Sequence, residues 1–233
     1  MRAIVPHLVA VIAIALCVRL ALWQLDRADE KQQLLSQWET AAELSHQALD
    51  TNPAPFSRVR LLGRFDEQRT VFLDNQVRQN HPGVHVFSPF LLDEGERIVL
   101  INRGWQPWSR RSGEWPMFET PAELVEITGR LSEPPRVGFQ LGEEPPLNTE
   151  QWPNLMTYFD MARLRDAFGA QLFLDIVLLD PDHSAHLSGD DWAPVNMGPE
   201  KHFGYAFQWA SIGTAILVIW LSLTLRNARR KTS

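Results

Sequence analysis

The sequence predicts a membrane-anchored α+β protein, in which two transmembrane helices at the chain ends flank a mostly antiparallel β domain with few helices. Apolar stretches at residues 4–22 and 203–225 each reach the roughly 20 residues that a helix needs to cross a hydrocarbon core. Between them, apolar and polar residues alternate in short runs that are typical of strands. We therefore expect a first transmembrane helix at 4–25, an external domain at 26–200, a second transmembrane helix at 203–225 and a basic tail at 226–233.

Charge is distributed unevenly between the middle and the ends of the chain. All 28 acidic residues lie between Asp26 and Glu200, where 15 Lys and Arg residues give a balance of −13. The last eight residues contain four basic side chains: Arg226, Arg229, Arg230 and Lys231. Basic residues beside a span are retained on the cytoplasmic side. We therefore predict that both termini are cytoplasmic and that the central domain is periplasmic; its acidic surface gives no reason to expect nucleic acid.

The first apolar segment could instead be a cleaved signal peptide. Residues 20–24 make a poor small-residue cleavage site, however, which favours a retained anchor. Arg19 lies near the outer end of this span, where its side chain can reach the lipid headgroups. Cys17 is the only cysteine and lies in the same span, so we expect no disulfide, thiolate nucleophile or cysteine metal site in the external domain.

An amphipathic helix is predicted directly after the first span. Apolar residues at steps of three and four indicate a helix over roughly 26–48, which continues the membrane helix outward until Pro53 and Pro55 break it. Later in the chain, the prolines around 134–135 and 145–146 indicate a long loop. A short helix follows at 160–168, with Asp160 as its N-cap and Gly169 as its C-cap.

Six runs with apolar alternation or continuous apolar character predict strands. They lie at 56–66, 70–73, 84–92, 97–105, 123–131 and 171–179. The third and fourth runs are separated only by a short acidic turn that contains Gly95, as in a β-hairpin. Strands joined mostly by hairpins indicate a curled sheet or a partly closed barrel.

Histidines supply the only candidate metal ligands of the external domain besides carboxylates. The pair His81 and His85 is interrupted by a Pro-Gly step, and His183 and His186 lie in a loop, so neither pair has a diagnostic ligand spacing. Nucleophile-elbow, phosphate-binding and dinucleotide-binding motifs do not occur in a usable context. We therefore predict neither a metal centre nor an enzyme.

His202 is distinguished by its position at the outer mouth of the second span. The aromatic residues Tyr205 and Trp209 follow it on turns of the same helix. This arrangement could face a flat apolar ligand in the membrane; alternatively, His202 hydrogen-bonds to lipid headgroups or to the domain.

Four short motifs occur in order along the chain. They are a Trp-Gln…Arg…Lys element after the first span, a Gly-x-Phe element on the first strand, an Asn-Arg-Gly-aromatic-x-Pro turn, and a His-x-x-Tyr-Ala-x-x-Trp element that opens the second span. The residues are Trp23, Gln24, Arg27 and Lys31; Gly63 and Phe65; Asn102, Arg103, Gly104, Trp105 and Pro107; and His202, Tyr205, Ala206 and Trp209. With these motifs between two end helices, the chain resembles the Surfeit locus protein 1 family of cytochrome c oxidase assembly factors.

The resemblance implies a non-enzymatic role in delivering haem a to the catalytic subunit of the oxidase or inserting it there. It implies that His202 is a haem ligand, that Tyr205 and Trp209 pack against the macrocycle, and that the other motif residues are structural. The implied partners are the catalytic subunit, other oxidase assembly proteins and the lipid bilayer. The alternative is a membrane-tethered scaffold that binds oxidase subunits without haem. Because no transit peptide is recognisable, a bacterial inner membrane is favoured over the mitochondrial inner membrane.

Overall fold

Two long helices and one curled β-sheet make up the chain. The computed structural model describes residues 4–41, 43–45, 49, 56–93, 97–136, 138, 140, 142, 144–187, 192, 194–195 and 197–232. The chain divides into a helix unit, residues 1–39 and 193–233, and a β unit, residues 40–192. Its elements are, in order, α1 (Val5–Thr40), β1 (Glu43–Ser45), β2 (Arg58–Phe65), β3 (Val71–Arg78), β4 (His81–Leu92), β5 (Ile98–Pro107), β6 (Val125–Ser132), β7 (Asn154–Met156), α2 (Met161–Phe168), β8 (Leu172–Leu179) and α3 (Pro199–Thr232).

Helices α1 and α3 correspond to the two apolar segments. Both are long and apolar enough to cross a membrane, over Val5–Thr40 and Pro199–Arg230. The helix predicted at 26–48 does continue the first span without a break, but it ends at Thr40. The chain then forms β1, which pairs in parallel with the edge of β2, so backbone pairing outweighs helical periodicity here. The two prolines proposed to break the helix lie outside the described residues.

The sheet is mostly antiparallel and closes partly on itself. Its strand order is β1-β2-β6-β8-β5-β4-β3-β7, and an additional pairing joins β2 to β4. Strands β2, β6, β8, β5 and β4 therefore form a ring of five, as in a partial barrel. The predicted curled sheet or partial barrel is thus confirmed. Hairpins do not make every connection, since β5 pairs in parallel with β8 and β3 with β7.

All six predicted strands are present, and two short strands, β1 and β7, were missed. The predicted run at 70–73 is the beginning of the longer β3, and the β4–β5 hairpin is closed by a hydrogen bond from Leu92 N to Arg97 O (3.1 Å). Strand β1 lies in the segment predicted as the end of the amphipathic helix, and β7 lies inside the proline-rich segment predicted as a loop. Helix α2 has the predicted caps: the Asp160 carboxylate accepts hydrogen bonds from the backbone of Ala162 (2.9 Å) and Arg163 (3.3 Å), and Gly169 follows the last turn.

Both faces of the central strands are buried, which explains their continuous apolar sequences. In β5, Val99 and Ile101 point to the same core as Ile127 of β6, whereas Ile98 and Leu100 pack in a second core. The second core also contains the apolar face of α2. The β unit therefore has a hydrophobic interior inside the ring of strands and another under its helix.

Candidate functional site

The two helices of the helix unit pack against each other along one stripe. Half-buried or buried side chains recur mainly at steps of three and four: Ala10, Ile14, Cys17, Ala21, Gln24 and Ala28 on α1, and His202, Ala206, Trp209, Gly213, Ile216 and Trp220 on α3. This is the spacing of an antiparallel pair with coiled-coil-like packing. Small residues let the two backbones approach, as where a Cβ added at Gly213 would lie 3.1 Å from Cys17 Cβ.

A hydrogen bond joins the first motif to the fourth across this pair. The His202 ring lies with Nδ1 2.8 Å from the Gln24 side-chain oxygen Oε1. Gln24 is buried, with 9% of its surface exposed, and His202 is half-buried. An amide oxygen only accepts, so the ring donates through Nδ1–H. Within the part of the chain that the structure describes, His202 Nε2 has no hydrogen-bond partner.

The other predicted residues of these two motifs take different positions. Tyr205 and Trp209 lie on the same face of α3 as His202, three and seven residues further on; Tyr205 is exposed and Trp209 is half-buried. Trp23 is exposed on α1, where the Arg27 guanidinium lies 5.8 Å from the centre of its ring.

Charged residues surround the outward continuation of α1. Arg27 donates a hydrogen bond to Glu30, and Lys31 lies 3.7 Å from the same carboxylate. These two basic motif residues thus form local ion pairs along the helix surface, which stabilise a helix only weakly.

A second hydrogen bond fastens the opposite end of the helix pair. Trp220 Nε1 donates to His7 Nδ1 at 2.9 Å, and the two rings meet edge to face with centroids 5.9 Å apart. Seventeen positions separate His7 from Gln24 and eighteen separate His202 from Trp220. At 1.5 Å per residue the two contacts are ~26 Å apart, close to the thickness of a hydrocarbon core.

Sequence reasoning missed both cross-helix bonds. It assigned no role to His7, and it placed Gln24 in a motif without connecting it to His202. The alternating steps of three and four in both helices are the signal that could have paired them, since that spacing predicts which faces meet.

The third motif contains a fully buried cation. The Arg103 guanidinium donates to four groups: Ala185 O through Nε (2.9 Å), Thr120 Oγ1 (2.7 Å) and, more weakly, Ser88 Oγ (3.5 Å) through Nη1, and Glu119 O through Nη2 (2.6 Å). Its described hydrogen-bond partners are all neutral. Burial lowers the pKa of Arg103 to about 10, because desolvation disfavours the charged form. Arg103 therefore holds two separate segments of the β unit against β5.

The second and third motifs meet through an aromatic contact. The ring of Phe65 lies 5.2 Å from the Arg103 guanidinium carbon, and the ring of Phe118 lies 5.0 Å from it, so the cation is bordered by two aromatic rings. Gly63 is required for a different reason: a Cβ there would collide with the carbonyl oxygen of Leu91 where β2 pairs with β4.

The strand predicted at 97–105 is confirmed, so the third motif is not the turn that the family resemblance implied. Residues 102–107 are the second half of β5. Asn102 Oδ1 accepts a hydrogen bond from Gly104 N (3.1 Å), and Gly104 has a φ of +113°, which favours glycine. The strand continues to Pro107, with Trp105 Nε1 donating to Gln76 O of β3 (2.8 Å). A glycine with positive φ inside a strand gives the same local sequence pattern as a turn, which explains the error.

Two of the described histidines of the β unit have local partners. His183 Nδ1 accepts from Ala185 N (3.0 Å), and the His85 ring stacks on Trp192 with centroids 5.9 Å apart. Among the described residues, no group of three or more His, Cys, Asp and Glu side chains could hold a metal ion.

Comparison with known proteins gives one consistent result. The sequence model of the SURF1 family matches residues 11–214. A SURF1-like protein of Monosiga brevicollis is 28% identical, over 91% of this chain and 84% of the relative. A SURF1-like protein of Drosophila melanogaster is also 28% identical, over 86% and 71%, and one of Rickettsia bellii is 25% identical, over 91% and 88%. The matched range contains all four motifs.

Proposed function

Since the chain belongs to the SURF1 family, we propose that it is a non-enzymatic assembly factor of cytochrome c oxidase that assists delivery of haem a or its insertion into the catalytic subunit. The catalytic subunit and other oxidase assembly proteins are its proposed partners. The observation that carries the proposal is the half-buried imidazole of His202, whose Nε2 has no hydrogen-bond partner among the described residues.

The chemistry of this position suits a haem cargo. A neutral imidazole nitrogen is a common axial ligand of haem iron. Tyr205 and Trp209 share the face of α3 on which His202 lies, and their rings offer apolar surface to a macrocycle. A carrier must also release its cargo, and attachment through one imidazole is easier to exchange than attachment through several ligands.

The membrane setting is part of the same proposal. Two helices long and apolar enough to span a bilayer support a membrane protein. We place the chain in a bacterial inner membrane with both termini cytoplasmic, because the basic residues cluster after the second span. His202 then stands at the outer membrane surface, where a haem carried in the lipid phase can reach it.

The test is the absorption spectrum of the full-length protein purified from cells that make haem a. We expect a Soret band in the wild type, its loss in His202→Ala and its retention in His81→Ala. His81 is the matched control because it is an exposed histidine of the β unit, with its ring Nδ1 2.9 Å from Gln79 O in its own turn. A band that persists unchanged in His202→Ala removes His202 as the ligand.

A scaffold without haem is the second candidate, and a surface of the β unit favours it. Met117, Val77 and Trp115 have 96%, 69% and 42% of their surface exposed, and large apolar side chains of this kind are enriched in protein interfaces. Trp115 is held rigidly, stacked on Trp108 with centroids 5.5 Å apart. Wild-type protein without any bound haem, from a strain whose oxidase is lost on deletion of the gene, would establish the scaffold; an unchanged oxidase would exclude both functions.

A further inference from the structure

We propose that Gln24 is a positioning residue, whose side-chain oxygen keeps the proton of the neutral His202 ring on Nδ1 and thereby presents the Nε2 lone pair to an incoming ligand. That the ligand is haem rests on the proposed function. The position of the proton on the His202 ring does not rest on the proposed function, because it is a property of the protein without bound haem.

The hydrogen bond determines which ring nitrogen carries the proton. A neutral imidazole has one N–H donor and one bare nitrogen, and only the bare nitrogen can bind iron. Gln24 Oε1, 2.8 Å from Nδ1, accepts but cannot donate. With the amide in this orientation, a proton on Nε2 instead would leave two lone pairs facing each other and a buried acceptor without its donor, which disfavours that form by about tenfold or more.

The helix pair fixes the amide in the place where it acts. One turn beyond Gln24, Ala28 is fully buried, and one turn beyond His202, Ala206 is 5% exposed. These small side chains bring the two backbones together, so the amide and the ring face each other inside a packed seam. Partners that fix the free nitrogen of a metal-binding histidine also fix its orientation, and their loss typically weakens binding by 10–100-fold.

If Gln24 had only a structural role, the His202 ring proton would not be confined to Nδ1. If Gln24 only held the helices together, its amide could equally turn to donate from its nitrogen to Nδ1, and the ring would then carry its proton on Nε2. The helices would stay joined, but the exposed nitrogen could not bind iron. The location of the ring proton therefore separates a positioning role from a clamp.

The first experiment measures that location in the full-length protein, free of haem and in detergent micelles, with ¹⁵N-labelled histidine. The spectrum is recorded at about pH 8, above the ordinary pKa of histidine, and His202→Ala identifies the signal. We expect a proton on Nδ1 and a bare Nε2 in the wild type, and a proton on Nδ1 in Gln24→Glu as well, because the carboxylate keeps an oxygen acceptor there. In Gln24→Leu the ratio of the two forms should shift about tenfold or more towards Nε2–H. Gln208→Leu, at an exposed position of α3, is the matched control and should match the wild type.

The second experiment titrates haemin into the same proteins. We expect Gln24→Leu to bind at least tenfold more weakly than the wild type, with Gln208→Leu unchanged. A wild-type ring with its proton on Nε2, or a Gln24→Leu ring that keeps it on Nδ1, would overturn the inference. A wild-type ring with the expected proton that binds no haemin would instead refute the haem function and leave the role of Gln24 intact. If Gln24→Leu does not fold, the wild-type and Gln24→Glu spectra still show whether Nδ1 of His202 carries the proton.

Discussion

At the scale of single residues, two buried polar side chains connect parts of the chain that are far apart in sequence. Gln24 contacts His202 across the helix pair, and Arg103 contacts four oxygen acceptors and two aromatic rings in the β unit. A buried cation without a carboxylate loses hydration that only good hydrogen bonds can offset. The pKa of Arg103, lowered to about 10 by burial, reports that penalty: the folded chain holds this proton less tightly than the unfolded chain does.

Replacing Arg103 should therefore destabilise the β unit. Arg103→Met removes the desolvation penalty but leaves the oxygens of Glu119, Thr120 and Ala185 without their donor, and each buried unpaired group costs about 1–3 kcal/mol. We expect a net loss of about 3 kcal/mol in the free energy of unfolding, measured by urea denaturation of the full-length protein in detergent.

The controls for Arg103 separate charge from geometry. Arg103→Lys keeps the charge but cannot reproduce the planar set of donors, so it should also be destabilised. Arg64→Met makes the same change at an exposed position of β2 and should alter stability by less than about 0.5 kcal/mol. If Arg103→Met proved as stable as Arg64→Met, the hydrogen bonds of Arg103 would have no structural importance.

At the scale of elements, local pattern predicted most of the fold. The alternation in β2 and β6, the apolar runs of β4, β5 and β8, and the caps of α2 all follow from short-range sequence. Strands β1 and β7 were missed because each is three residues long and exists by pairing in parallel with a neighbour that is distant in sequence. The parallel pairing of β5 with β8 is equally invisible to periodicity, since no hairpin signal marks it.

The candidate site was likewise predicted only in part from the sequence. His202 was found because an ionisable residue at the end of an apolar segment is unusual, and the family resemblance supplied its proposed role. Its hydrogen bond to Gln24 joins residues 178 positions apart in sequence. The bond depends on how the two helices pack, which the sequence of neither helix specifies alone. The buried state of Arg103 was likewise missed, because a charged residue near the end of a predicted strand is ordinarily exposed and its acceptors lie 15 or more positions away in sequence.

The closure of the barrel should depend on Gly63. A Cβ at this position would collide with the Leu91 backbone where β2 pairs with β4, and a backbone atom cannot move aside without breaking the pairing. We expect Gly63→Ala to cost about 2 kcal/mol or more in the free energy of unfolding. Gly138→Ala is the control, because no atom lies within 4 Å of the added Cβ. Equal urea midpoints for the two variants would contradict a tight crossing at Gly63.

At the scale of the whole molecule, the segment between the two spans and the C-terminal tail differ in the sign of their charge. The segment between Asp26 and Glu200 has a balance of −13, whereas the end after the second span is basic. Acidic residues hardly affect which segment is translocated, whereas a basic flank is retained on the cytoplasmic side. The two cross-helix bonds, ~26 Å apart, give the helix pair one hydrophobic thickness between its polar contacts.

The orientation that follows can be tested with reporters in the full-length chain. We expect alkaline phosphatase to be inactive when fused after Ser233 and active when inserted at Gly113, an exposed loop position of the β unit with no neighbour within 4 Å of an added Cβ. Replacing Arg226, Arg229 and Arg230 all by glutamine should make a fraction of the C-terminal fusions active, because those side chains oppose translocation of the tail. Substituting Arg58, Arg60 and Arg64 of β2 in the same way removes equal charge from the translocated segment and should leave the orientation unchanged. An active phosphatase fused after Ser233 in the otherwise unchanged chain would contradict the predicted orientation and the assignment of His202 to the outer surface.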